Sequence, residues 1–131
     1  MLTINLLSFG YHRSGIPADA SGNGGGFVFD ARCLPNPGRE ARYRERSGLD
    51  DDVRSYLEAR PETATFLSHA IAMVEHAARL YDARGFEHLQ VSFGCTGGQH
   101  RSVFCVEYAA RMLRTHGYQC EITHTERERW Q

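Results

Sequence analysis

Near the start of the chain Leu2, Ile4 and Leu6 alternate with Thr3 and Asn5, a period of two that predicts a strand with one buried face, ending near Ser8-Phe9-Gly10. The alternation recurs in Leu89, Val91 and Phe93, and a shorter run, Phe27-Val28-Phe29, predicts a buried strand. A final strand is expected from Tyr118 to Thr123. Elsewhere the apolar residues adopt helical spacing. Phe66, Leu67, Ala70, Ile71, Val74, Ala77, Ala78 and Tyr81 form one stripe, on a helix that opens at Pro61-Glu62 and ends before Gly85. Val103, Val106, Ala109, Ala110 and Leu113 form a second, which Gly117 stops. Asp50-Asp51-Asp52 starts a shorter helix through Glu58, with acidic groups at the positive end of its dipole. The order β, β, α, α, β, α, β predicts an α/β fold: a largely parallel sheet with helices on its faces.

The segments between these elements carry turn chemistry. Tyr11 to Gly26 includes Gly15, Pro17 and the run Ser21-Gly22-Asn23-Gly24-Gly25-Gly26, and is expected to form a long loop too flexible to pack. It lacks the helix context of a dinucleotide fingerprint. Leu34-Pro35-Asn36-Pro37-Gly38 breaks regular structure, because each proline removes a donor and restricts its predecessor. Arg39, Arg42, Arg44 and Arg46 then alternate with Glu40 and Glu45, which reads as a solvated segment or as a surface for RNA phosphates. A charged tail, His124 to Arg129, follows the last strand.

Composition narrows the possibilities. A chain of 131 residues with 41% hydrophobic content makes one domain, residues 1–131, with a core of its own. No apolar run approaches a membrane span and no leader segment is evident, so a cytoplasmic protein with no membrane partner is expected. Net charge is −1, which supplies no overall drive toward nucleic acid. All 15 basic residues are arginine, and without lysine there is no Walker A motif. The four cysteines show no CxxC spacing, so neither zinc nor a disulfide framework is signalled, and Cys33, Cys105 and Cys120 are expected to be buried thiols. His69 and His76 share a helix without a third ligand. No metal or cofactor is expected.

The candidate chemistry lies where the strand at 88–93 gives way to a helix: Gly94-Cys95-Thr96-Gly97-Gly98-Gln99-His100-Arg101-Ser102. Gly97 and Gly98 permit close backbone approach, and the first N–H groups of the following helix lack intrahelical partners. A phosphate, sulfate or carboxylate is the expected guest. Thr96 and Ser102 add hydroxyls, Gln99 and His100 lie within the turn, and Arg101 adds a forked positive charge. Asp30 and Arg32, at the carboxyl end of the Phe27–Phe29 strand, are either further ligands or a structural ion pair. Cys95 and Arg101 are separated by five residues and followed by Ser102, so the turn also fits CX5R[ST], the signature of cysteine-dependent phosphatases. On that alternative Cys95 is the nucleophile, Arg101 binds the phosphoryl group and Asp30 is the formal candidate for the general acid.

Ser8-Phe9-Gly10, Phe27 to Arg32, Leu34-Pro35-Asn36-Pro37, Ser47-Gly48-Leu49-Asp50 and Gly94 to Val103 occur in the order and approximate spacing of the C-terminal domain of the RNase adapter protein RapZ family, which the chain resembles over nearly its whole length. Such proteins typically carry an N-terminal Walker-type nucleotide-binding domain. The resemblance implies a fold like a phosphofructokinase subdomain, sensing of glucosamine-6-phosphate or a similar amino-sugar phosphate, assembly into homo-oligomers, and in some members an RNA and an RNase as partners. It implies a pocket formed by Thr96, Gly97, Gly98, His100 and Arg101 with Asp30 and Arg32. A non-catalytic, regulatory phosphosugar-binding domain is therefore expected. After Asn36-Pro37 the family commonly has a histidine in the pocket, and this chain has Gly38.

Overall fold

Leu2, Ile4 and Leu6 are fully buried while Thr3, Asn5 and Leu7 are only partly covered, so the first strand presents one face to the core, as its alternation requires. The computed structural model describes residues 1–131. Its strands are β1 (Thr3–Gly10), β2 (Phe27–Asp30), β3 (His88–Cys95) and β4 (Gln119–His124), and its helices are α1 (Ala41–Arg44), α2 (Asp51–Glu58), α3 (Pro61–Ala83) and α4 (Arg101–Thr115). The sheet has the order β2-β3-β1-β4 and every pairing is parallel. To run from β3 to β4 the chain crosses central β1, and α4 spans that gap, packing on β1, β3 and β4.

A single cluster forms the core. Leu2, Ile4, Leu6, Leu89, Val91 and Phe93 meet the buried residues of α2, α3 and α4, including Val53, Leu67, Val74, Val106 and Leu113. These strand residues share one face through the register Ile4 with Leu89 and Leu6 with Val91, so the helices cover that face alone. The opposite face carries Asn5, Gln90 and Glu121 side by side. It takes its cover from the long loop, which does pack. Gln90 donates its amide to Ala18 O at 2.9 Å and accepts from Ala20 N–H at 3.2 Å. Asp19 accepts from the N–H groups of Ser21 and Gly25, closing the glycine run on itself.

Three local expectations need correction. Phe27 to Phe29 lies in an edge strand, not a buried one: Val28 is 45% exposed because the helix layer covers only the other side of β2. Cys33 is exposed, since it sits in the turn after β2, beyond the core, and Cys120 is only half-buried. The segment 39–46 is not wholly solvated, because α1 turns Tyr43 inward to an edge-on contact with Tyr56 at 5.4 Å between ring centroids.

Candidate functional site

Gly10 pairs with Cys95 and Asp30 with Gly94, so the carboxyl ends of β1, β2 and β3 finish beside one another, where parallel sheets hold ligands. The turn from Cys95 to Arg101 fills that edge. Except for Gly97 O, its carbonyls are taken: Gly94 O accepts from Ala31, Cys95 O from Tyr11, Thr96 O from His12, Gln99 O from Gly48 and His100 O from Phe104. Gly98 O accepts from the Trp130 indole at 2.9 Å. By contrast, the backbone N–H groups of residues 96–101 meet no acceptor in the protein. A turn with most of its carbonyls engaged and its consecutive N–H groups free has the polarity of an anion nest, reinforced here by the dipole of α4.

Close approach builds this turn. Gly98 has φ +75°, and a Cβ there would fall 2.6 Å from Glu126 Cγ and 2.8 Å from Gly10 N. Glu126, 1% exposed, accepts from Gly10 N–H at 3.1 Å and from Ser14 N–H at 2.9 Å, which ties the end of β1 to the following loop. Burial raises the Glu126 carboxyl, but these hydrogen bonds, the Ser14 hydroxyl and Arg129 outweigh it, and the net shift is downward.

Arg101 is 5% exposed. Its Nη1 donates to Arg32 O at 2.8 Å and Leu34 O at 3.1 Å, its Nη2 reaches Thr96 Oγ1 at 3.4 Å, and its buried Nε–H has no partner. Beside it, His100 donates Nε2–H to Tyr43 O at 2.9 Å, leaving Nδ1 as an acceptor. Desolvation holds the His100 pKa below its ordinary value. Gly38 makes room for this ring, since a Cβ there would lie 3.2 Å from His100 Cε1. Ser102 places its Oγ 3.2 Å and its N–H 3.4 Å from Cys95 Sγ, which is 3% exposed. Gln99 donates its amide to Arg46 O at 2.8 Å, and so anchors the charged segment rather than pointing freely into solvent.

A cavity of about 290 Å³ opens over the turn, lined by Cys95, Thr96, Gly97, Gln99, His100 and Arg101 of the sequence-derived set. Gly98 and Ser102 do not line it, and neither do Asp30 and Arg32. They pair with each other at 2.7 Å, and the Arg32 guanidinium stacks 3.8 Å from the Tyr11 ring centre. The hydrogen bond from Arg32 holds the Asp30 pKa down. Of the arginine run, Arg44 lines the cavity, while Arg42 pairs with Glu40 and Arg46 with Asp52, and Arg39 is exposed. Sequence reasoning missed Arg13, Asn36, Arg129 and Gln131 on the cavity wall. They come from three distant segments, and no spacing signal joins them.

One further constellation has the makings of a catalytic chain. Ser8 Oγ is 2.6 Å from His124 Nδ1, and His124 Nε2 is 2.8 Å from Glu107 Oε2. Ser8 is fully buried, so no substrate reaches it, and the chain serves to join β1, β4 and α4. No cluster of three or more His, Cys, Asp or Glu side chains is positioned to hold a metal ion, and no helix is long and apolar enough to cross a membrane.

The family model described as the RapZ C-terminal domain matches residues 2–128. The chain is 42% identical over 127 residues to a nucleotide-binding protein of Geobacillus kaustophilus, covering 97% of this chain and 40% of that protein. It is 39% identical over 125 residues to a nucleotide-binding protein of Halorhodospira halophila, covering 95% and 42%. A nucleotide-binding protein of Geobacter sulfurreducens is 39% identical over 128 residues, with 98% and 43% covered. The chain spans about two fifths of the length of these relatives.

Proposed function

The chain belongs to the RapZ C-terminal domain family, and on that premise we propose that it is a regulatory domain that binds a phosphorylated small molecule on the turn 95–102 without transforming it. The observation that carries this reading is the row of free N–H groups at residues 96–101 beside the unpartnered Nε–H of Arg101. Free donors at a strand-to-helix turn suit phosphate oxygens, which accept several hydrogen bonds each and carry charge that the helix dipole favours. Arg101 is pre-oriented by two carbonyls, so binding an anion there orders little further. His100 Nδ1 and the Thr96 hydroxyl are suited to orient hydroxyl groups of the ligand.

Glucosamine-6-phosphate, the ligand implied by the family resemblance, is the first probe. Titration calorimetry tests the reading: Arg101→Ala is expected to weaken binding by about 1.5–3 kcal/mol, the worth of a charge-assisted hydrogen bond. An unchanged dissociation constant contradicts it.

A second reading, a cysteine-dependent phosphatase, is favoured by one specific observation. Cys95 Sγ accepts from the Ser102 N–H at 3.4 Å and donates to Ser102 Oγ at 3.2 Å, so Ser102 sits beside the sulfur as the residue after the arginine does in the CX5R[ST] signature. Against it, no Asp or Glu side chain lines the cavity to protonate a leaving alcohol. A phosphorus NMR time course separates the two readings. Release of inorganic phosphate, abolished by Cys95→Ser, establishes turnover; bound but unchanged phosphate establishes a binding domain.

A further inference from the structure

The carbonyls of Gly94, Cys95, Thr96, Gln99 and His100 are each held by a backbone N–H. Gly98 O is held by a side chain instead: the Trp130 indole N–H donates to it at 2.9 Å. Trp130 is the only tryptophan of the chain. It does not line the cavity, although its neighbours Arg129 and Gln131 do.

The fold itself sets the place of the indole. Its ring lies 5.6 Å from that of His124, and the Arg127 guanidinium covers it at 5.5 Å. His124 is fixed in turn by Ser8 Oγ at 2.6 Å and by Glu107 Oε2 at 2.8 Å, so β1 and α4 together seat the surface on which the indole rests. Next along the chain, the Gln131 N–H donates to Gln99 Oε1 at 3.1 Å, which ties the same segment to the turn a second time.

No peptide bond in the chain is cis, and in a trans peptide the C=O and N–H point in opposite directions. A donor on Gly98 O therefore fixes the direction of the Gln99 N–H, which meets no acceptor in the protein. Without that donor the peptide plane between them is poorly held, because glycine at position 98 resists rotation less than any other residue. The two ends of the plane are also coupled. An anion on the Gln99 N–H polarises the carbonyl and strengthens the hydrogen bond that it accepts.

We propose that Trp130 is a positioning residue of the anion site: it holds the Gly98–Gln99 peptide with its N–H toward the ligand, and so sets the affinity of the turn without touching the ligand. The proposal rests on the phosphate-binding reading of the turn, and adds to it a residue from a segment that lies outside the motif.

Phosphate titrations at fixed ionic strength, followed by amide and indole NMR, test it on the unmodified protein and on Trp130→Phe, which keeps an aromatic ring against His124 and removes the donor. In the unmodified protein the single indole N–H resonance is expected to move downfield with the same dissociation constant as the Gln99 amide. Trp130→Phe should bind phosphate at least about fivefold more weakly, as loss of one hydrogen bond predicts, with its circular dichroism unchanged. The indole measurement needs no variant, so it decides the matter even where Trp130→Phe does not fold. A Trp130 that serves stability alone would lower the unfolding temperature on substitution while leaving phosphate affinity intact. An indole resonance that stays still while the turn amides saturate, or a folded Trp130→Phe with unchanged affinity, overturns the positioning role. If no turn amide of the unmodified protein responds to phosphate, the phosphate-binding reading itself fails, and the positioning role falls with it.

Discussion

The guanidinium of Arg101 donates to the backbone carbonyl of Arg32 across 2.8 Å, so the cation at the start of α4 is held by the turn that follows β2. The tie runs through the main chain of Arg32, while its side chain turns away to Asp30. Arg101→Ala should therefore cost stability as well as affinity: two carbonyls, Arg32 O and Leu34 O, lose their donor in a largely buried place. A loss of about 1–3 kcal/mol in urea unfolding is expected. Arg101→Lys should recover little of it, since one ammonium does not reproduce the planar fork. Asp30→Ala should leave anion affinity near that of the unmodified protein.

Gly98 is the position where the turn is most intolerant. Its φ of +75° and the proximity of a Cβ to Gly10 N both oppose a side chain. Gly98→Ala is expected to destabilise the fold by more than about 1 kcal/mol and to abolish phosphate binding. Thermal unfolding and titration on the same sample check both. Retained affinity in a stable Gly98→Ala protein would mean that the turn is not the anion site.

Glu126 gives the turn an acid sensitivity. Its folded-state pKa is lowered, so the ionised form contributes stability that is present above the ordinary carboxylate value of about 4.3 and is lost as pH falls through the folded value. Acid unfolding should begin at higher pH in Ser14→Ala, which removes one of the hydrogen bonds responsible for lowering that pKa. Identical acid transitions in the two proteins would contradict this.

His100 works in the opposite chemical sense at higher pH. Burial favours its uncharged form, so the unfolded chain takes up the proton first, and stability is lost as pH falls through about 6.5 toward the lower folded value. A bound anion favours the charged ring. Sulfate, which does not itself titrate near neutral pH, should therefore bind with proton uptake that appears as pH falls toward the pKa of the ring and is absent at alkaline pH. Calorimetry in buffers of different ionisation enthalpy measures the uptake, and His100→Asn should remove it.

Local pattern made the architecture readable. The alternation in Leu2, Ile4 and Leu6 and the stripe through Leu67, Ala70, Ile71, Val74 and Ala78 correspond to the faces that meet in the core. The turn's place between β3 and α4 was equally legible, because apolar periodicity changes from two to helical spacing across Gly94 to Ser102. Contacts that close over long sequence distances were not. Glu126 binds Gly10, and Trp130 binds Gly98, from the charged end of the chain, where no apolar periodicity marks a contact. Tyr43 was hidden in the same way, an inward aromatic among exposed arginines. Cys33 misled because cysteine is usually buried, whereas the turn after β2 projects beyond the helix layer.

The most direct measurement of the central claim is a phosphate titration followed by amide NMR on the labelled protein. The account requires saturable shifts concentrated in the N–H groups of Thr96 to Arg101, diminished in Arg101→Ala. Shifts centred elsewhere, or none at millimolar phosphate, would contradict it.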